Sequence, residues 1–231
     1  MPTIVTDDLV FDQATAVGPQ LYRMLRTRII RGHLSAGARL SESAIASDFE
    51  VSRQPVREAF IKLAEEGLLE VRPQRGTFVP KISISAVQDA RFVREAIEAD
   101  VVKLLASKPD LRLAAELEKQ LHAQKEAVDD AAKFIELDEL FHQTLAEAAG
   151  KANAWRLIEG LKAQMDRVRY LALSAFPKAR LLAQHSAVTH AIGTGDVAGA
   201  EAAMRLHLNE ITNDLPAITK DNPDFFESSG R

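Results

Sequence analysis

Asp138 and His142 lie four positions apart. On a helix that spacing puts a carboxylate and an imidazole on one face, with their Cβ atoms about 5–6 Å from each other. His185 and His207 fall on two later helical stretches and can converge with them. Three imidazoles and one carboxylate suit a borderline divalent cation such as zinc, nickel, manganese or iron(II). Each histidine read singly is equally well a hydrogen-bonded or surface residue, and His33, His122 and His190 are read that way. A second chemistry sits in the other half, where Ser52-Arg53-Gln54-Pro55-Val56-Arg57 opens a helical stretch. An arginine in a first turn suits bidentate pairing with guanine O6 and N7 in the major groove. Here that residue is Arg53, with Gln54 beside it and Arg57 one turn on. Ser52 and the free N–H groups of the helix start can hold a phosphate. Arg75 and Gly76 follow on a turn, where the glycine permits close approach to a backbone. Any one of these arginines alone is as well read as a solvated surface charge.

The elements that would position these groups follow from periodicity. Pro19 can open a first helix carrying Leu21, Leu25, Ile29 and Ile30 at helical spacing, with Gly32 ending it. Leu40 precedes a short helix capped by Ser41, with Ala44, Ile45 and Phe49 facing inward. A third helix begins after Ser52, tolerates Pro55 in its first turn, buries Val56, Phe60 and Leu63, and stops at Gly67. Leu68–Val71 and Thr77–Pro80 read as a small hairpin turned at Pro73-Gln74-Arg75-Gly76. Helix, short helix, helix, hairpin is the order of a winged helix-turn-helix. Beyond Ser83 six helical segments are expected, over 84–107, 109–128, 131–149, 151–174, 177–193 and 196–214, with no repeat at a fixed period. The fold class is mainly α: a winged helix-turn-helix plus an antiparallel all-α bundle of about six helices. The expected division is a flexible arm over 1–17, a DNA-binding domain over 18–81, an effector-binding and dimerisation domain over 82–220, and a frayed tail over 221–231.

The 231 residues suit two domains at about 100–150 residues each. The absence of cysteine excludes disulfides, thiolate metal sites and a cysteine nucleophile. No apolar run approaches the ~20 residues of a membrane span. The acidic start Met1–Asp8 lacks the pattern of a secretory signal, so a cytoplasmic protein is expected. The net charge of −4 is unevenly held: eleven basic and seven acidic residues between Ala14 and Lys81 leave about +4 there and about −8 elsewhere. A basic head on an acidic body suits a head that meets phosphates.

The string Ser52–Ala59 resembles the recognition helix of the GntR family of bacterial repressors. The likeness extends over Gly37–Glu42, Leu63–Leu68 and Arg75–Val79, about 60 residues in the family's order. The C-terminal half is similar to the FadR-like subgroup, with its FCD-type effector domain, at Val93–Glu98, Asp138–His142, Gln184-His185 and Ala202–Leu208. This resemblance implies a homodimer on a palindromic DNA operator. It also implies a divalent metal held by Asp138, His142, His185 and His207, and a small effector in a helical cavity. It makes Arg39, Ser52, Arg53, Gln54, Pro55, Arg57, Arg75 and Gly76 the DNA-facing residues. Ser43 departs from the family, which often has a basic residue there. Arg94 matches a position facing the effector cavity, where its fork suits a carboxylate, and an i,i+4 pair with Glu98 explains it nearly as well. Asn153 is an effector contact or a helix cap, and Arg167, Arg169 and Tyr170 are weaker candidates to line the bundle.

The expected function is a sequence-specific transcription regulator, a repressor released by a small organic acid bound near the metal. The alternative is a metal-dependent enzyme on an all-α scaffold with an accessory DNA-binding domain. Against it stand the lack of an HExxH motif, of a serine elbow and of a second carboxylate poised as base. A third reading makes the helical half a dimerisation body alone.

Overall fold

The computed structural model describes residues 12, 14–172 and 178–227. They group into two compact units. The first takes Met1–Val87 together with Ala163–Leu171 and Thr219–Arg231, and the second takes Gln88–Lys162 with Ala172–Ile218.

In the first unit α1 (Val17–Ile30) buries Leu21, Leu25 and Ile29, each four residues after the last. This apolar stripe packs on α3 (Arg53–Glu65), which returns Val56, Phe60 and Leu63, while α2 (Glu42–Asp48) adds Ile45. Ser41 caps α2 by accepting from the Ala44 amide at 3.4 Å. At the end of α3, Gly67 adopts φ +68°, and the Leu68 amide bonds back to the Leu63 carbonyl at 2.8 Å. That six-residue closure satisfies carbonyls the helix end would otherwise leave open. Strands β1 (Arg39–Leu40), β2 (Glu70–Arg72) and β3 (Gly76–Phe78) form an antiparallel sheet in the order β1-β3-β2. The expected hairpin is present, shifted by one or two residues. Its third strand comes from Arg39-Leu40, which sequence pattern presented only as the lead into α2.

In the second unit lie α4 (Ile84–Ala106), α5 (Leu111–Glu126), α6 (Ala131–Ala148), α7 (Ala152–Leu161), α9 (Lys178–Thr194) and α10 (Val197–Asp221). The termini of α4 and α10 reach residues assigned to the first unit. Asp110 and Asp130 cap α5 and α6 through the amides of Arg112 and Lys133. The core is aliphatic, with Val102, Leu117, Leu145, Val188 and Met204 almost wholly buried.

Three expectations change. The single helix expected over 151–174 is two, α7 and α8 (Ala163–Leu171), parted at Lys162. Lys162 is buried and pairs with Glu139 at 2.9 Å. In the first unit α8 buries Ala163, gives the Gln164 amide to the Gly67 carbonyl and sets Asp166 3.5 Å from Arg26. The last helix continues past 214 to Asp221 through Pro216. An interior proline costs about 3 kcal/mol, and burial of Leu215 and Ile218, about 1.5–3 kcal/mol each, offsets it. The tail expected to fray instead forms a 3-10 turn at Pro223–Phe225 and a parallel bridge between Phe226 and Ile82. The Ile82 amide donates to the Phe225 carbonyl at 2.7 Å, and Phe226 is 2% exposed. Most of the arm expected over 1–17, residues 173–177 and residues 228–231 lie outside the described residues.

Phe226→Ala is expected to cost about 3–5 kcal/mol by cavity formation and to lower the thermal unfolding midpoint. A midpoint matching the parent protein's would show that the tail does not pack in solution.

Candidate functional site

One turn of α6 brings Asp138 and His142 to the same buried face, α9 supplies His185, and α10 supplies His207. One ligand atom from each of the four lies within 4.8 Å of the others, and all four residues are buried. The Nε2 atoms of His142 and His207 are 3.1 Å apart, and those of His185 and His207 are 3.3 Å apart. Asp138 sets one carboxylate oxygen 3.5 Å from His185 Nε2 and the other 4.0 Å from His142 Nε2. Phe141 stacks on the His185 ring at 4.4 Å, which fixes the plane of that imidazole.

The outward nitrogens decide what the inward ones carry. His142 Nδ1 meets the Glu98 carboxylate of α4. His185 Nδ1 meets Gln124 Oε1 of α5 at 2.8 Å, and His207 Nδ1 meets Gln184 Oε1 of α9 at 3.1 Å. The two amide orientations are assigned by their far ends. Gln124 donates to the Leu137 carbonyl at 3.2 Å, and Gln184 donates to the Glu210 carboxylate at 2.7 Å. Both far partners accept only, so each glutamine must turn its oxygen to the imidazole. All three Nδ1 atoms therefore donate, and all three Nε2 atoms present bare lone pairs to one point beside a carboxylate. Lone pairs at such separations repel unless a cation lies among them. The donor set and its outer hydrogen bonds thus fit a divalent metal.

The electrostatics agree. Burial, and after it the neighbouring His185 and His142, hold His207 well below the ordinary histidine range, in the neutral form a metal needs. Burial would raise the Glu98 carboxyl, but Arg94 and His142 outweigh it and hold the group down to about 2.

Arg94 is buried and ion-paired with Glu98, the i,i+4 pairing weighed as the plainer reading, and through Glu98 it is joined to His142. Asn153 does not join this cluster. It is exposed in the first turn of α7 and accepts from Arg156, and Lys151, not Asn153, occupies the N-cap position. Arg167 and Tyr170 belong to the first unit, where the Arg31 guanidinium lies 5.7 Å from the Tyr170 ring centre. His33, His122 and His190 are exposed, in keeping with the plain reading. Sequence reasoning missed the three acceptors. Glu98 stood in view only as the partner of Arg94, Gln184 stood next to a ligand without a role, and nothing marks Gln124 before the chain is folded.

In the first unit the buried stripe of α3 turns its other face outward. Ser52, Arg53, Gln54 and Arg57 are exposed. Ser52 stands at the N-cap without spending its hydroxyl on a capping bond. Gln54 donates to Glu58 at 2.9 Å. Pro55 is half-buried, and a Cβ on Gly18 of α1 would lie 3.7 Å from its own, so packing explains it as well as DNA contact does. Arg39 of β1 pairs with Phe78 of β3 and lays its guanidinium on Gly76, where an added Cβ would lie 2.8 Å from Arg39 Nε. Gly76 also holds φ +112°, which side chains rarely adopt. Arg39, Arg53, Arg57 and Arg75 are exposed and have no ion-pair partner among the described residues. Among those residues, no helix is long and apolar enough to cross a membrane.

Residues 18–79 match the family of bacterial regulatory proteins called gntR, and residues 89–210 match the FCD domain. The chain is 43% identical to the HTH-type transcriptional repressor RspR of Escherichia coli K12, over 91% of its own length and 93% of that protein's. It is 30% identical to the gluconate operon transcriptional repressor of Bacillus subtilis, over 78% and 77% of the two lengths. Among solved structures it shares its fold with McbR/YncC of E. coli, at a TM-score of 0.73 and 20% identity, covering 90% of this chain and 99% of that one.

Glu98→Ala strips a buried guanidinium of its counter-charge and an imidazole of its acceptor, so a loss of about 3–5 kcal/mol in urea unfolding is expected. Glu98→Gln, which keeps an acceptor, is expected to lose less. Equal stabilities for the two variants would remove Glu98 from this role.

Proposed function

The chain belongs to the GntR family of bacterial regulatory proteins, and on that premise we propose that it is a repressor freed from DNA by a small organic acid bound at a divalent metal. That it is a DNA-binding transcription regulator follows from the family. The observation that carries the finer reading is the convergence of three imidazole Nε2 atoms and one carboxylate inside a buried helical core.

Arg53 reads a base edge from the first turn of α3, with Gln54 beside it, and Ser52 with the first amides of α3 grips a phosphate. Arg39, Arg75 and Gly76 form one basic wing that approaches the backbone or the minor groove. Two copies of the chain pair so that their α3 helices meet a palindrome one DNA turn apart. Asp138, His142, His185 and His207 would hold the metal, which would supply a Lewis-acidic positive charge suited to the effector's carboxylate. Arg94 stands one carboxylate behind His142 and supplies positive charge on that side of the cluster. The named role of the B. subtilis relative makes a sugar acid the first compound to try. The effector weakens DNA binding only to the extent that it prefers the state with displaced heads.

In a gel shift at fixed ionic strength, the protein is expected to retard its own upstream DNA, and one member of a panel of organic acids is expected to release it. Failure to bind that DNA at low salt, with the protein folded, would overturn the reading. Arg53→Ala is expected to cost about 1–3 kcal/mol and to relax sequence choice at one position of each half-site.

Chelation is expected to lower the unfolding midpoint and abolish release by the acid, with zinc or nickel restoring both. Metal present at a thousandfold over its Kd adds about 4 kcal/mol to the folded state. His207→Ala should reproduce the chelated behaviour. A chelated protein with unchanged midpoint and unchanged release has no such metal.

A further inference from the structure

Arg167 of α8 is 3% exposed, yet its one hydrogen-bond partner among the described residues is the neutral Gln164 Oε1 at 3.2 Å. Among the described residues, each of the other buried cations has an anion beside it: Arg94 has Glu98, and Lys162 has Glu139. Even the half-buried Arg26 has Glu66 and Asp166. Burial alone pulls the Arg167 guanidinium down to about 10, with no neighbouring charge opposing it, and at that value it stays cationic at neutral pH.

Arg167 lines a cavity of about 10 Å3 within the first unit, walled by Ile30 and Leu34 near the end of α1, Ile82, Leu171 and Phe225. That volume admits one water-sized group. The walls are apolar, so an occupant finds one strong polar partner and contact surface for at most a methyl group.

A buried charge left without a counter-charge is costly, and a small ion that fits beside it relieves that cost. We infer that the cavity at Arg167 is a binding site for one small monatomic anion, chloride. Sugar acids and sulfate are too large for it. The bound anion joins α8 to the end of α1 and to the segments at Ile82 and Phe225, all within the DNA-binding unit. This inference does not depend on the metal reading.

The test uses the full-length, metal-loaded protein at constant ionic strength, with sodium isethionate replaced stepwise by chloride, formate or acetate. The wild-type unfolding midpoint is expected to rise saturably, by about 5 °C or more at a hundredfold excess over Kd, with chloride. Formate and acetate, with three and four heavy atoms, are the size controls, and a rise with either that Arg167→Met abolishes would overturn the one-atom fit. Arg167→Met is expected to lose that response and to start from a higher midpoint in isethionate, since the lone charge is gone. Leu34→Phe, which fills the cavity and keeps the guanidinium, is expected to lose the response too, and it decides the matter should Arg167→Met fail to fold. Both variants keep the metal centre, so a contribution from it cancels in the comparison. Identical midpoints for the wild type in all four salts, or an undiminished rise in the variants, would mean that the cavity holds water and would overturn the proposal.

Discussion

Three imidazoles that have each committed their Nδ1 proton outward leave three lone pairs facing one point, and the helical unit is arranged around that convergence. Glu98 comes from α4, Gln124 from α5, Asp138 and His142 from α6, Gln184 and His185 from α9, and His207 and Glu210 from α10. Five helices thus contribute to one polar centre inside an aliphatic core. Buried polar networks of this kind stabilise only when every member is satisfied. The outer hydrogen bonds satisfy one side of each ring, and a divalent cation would satisfy the other. Rotation of any one of these helices about its axis would break these hydrogen bonds as well as packing, so the centre ties the placement of the five helices together.

The DNA-binding unit solves a different problem, which is to keep charge outside. One face of α3 is apolar enough to hold the helix in place, and the opposite face carries arginines with no acid to neutralise them. The wing adds Arg39 only because Gly76 leaves space beneath its guanidinium. Along the chain the basic excess lies in the head and the acidic excess elsewhere. That arrangement raises the potential where phosphates arrive and discourages non-specific contact elsewhere.

Much of this was legible in the residues. Helices α1 to α3 and the hairpin follow from apolar spacing, caps and glycine stops, which are local signals. Asp138 and His142 announce themselves by spacing, whereas His185 and His207 needed the family likeness to be placed with them. What stayed hidden is what depends on distant partners. No periodicity says that Glu98 accepts from His142, 44 positions away. The break at Lys162 has only Gly160 two residues before it as a local mark, and Glu139, with which Lys162 makes its buried pair, lies on another helix. The return of Phe226 to Ile82 was invisible for the same reason, since a short polar tail carries no pattern of its own. Asn153 is the converse case, a residue type suited to a contact or a cap that lies exposed and accepts from Arg156.

The strand-like pairing of Ile82 with Phe226, together with the placement of α8 in the first unit, has a bearing on modularity. The head is discontinuous in the chain, being completed by two pieces encoded far downstream. A fragment cut after the wing would expose the surfaces that Ala163 and Phe226 cover. Chimaeras that exchange operator specificity between relatives must therefore transplant three stretches rather than one, or else confine the graft to the outward face of α3 and the tip of the wing.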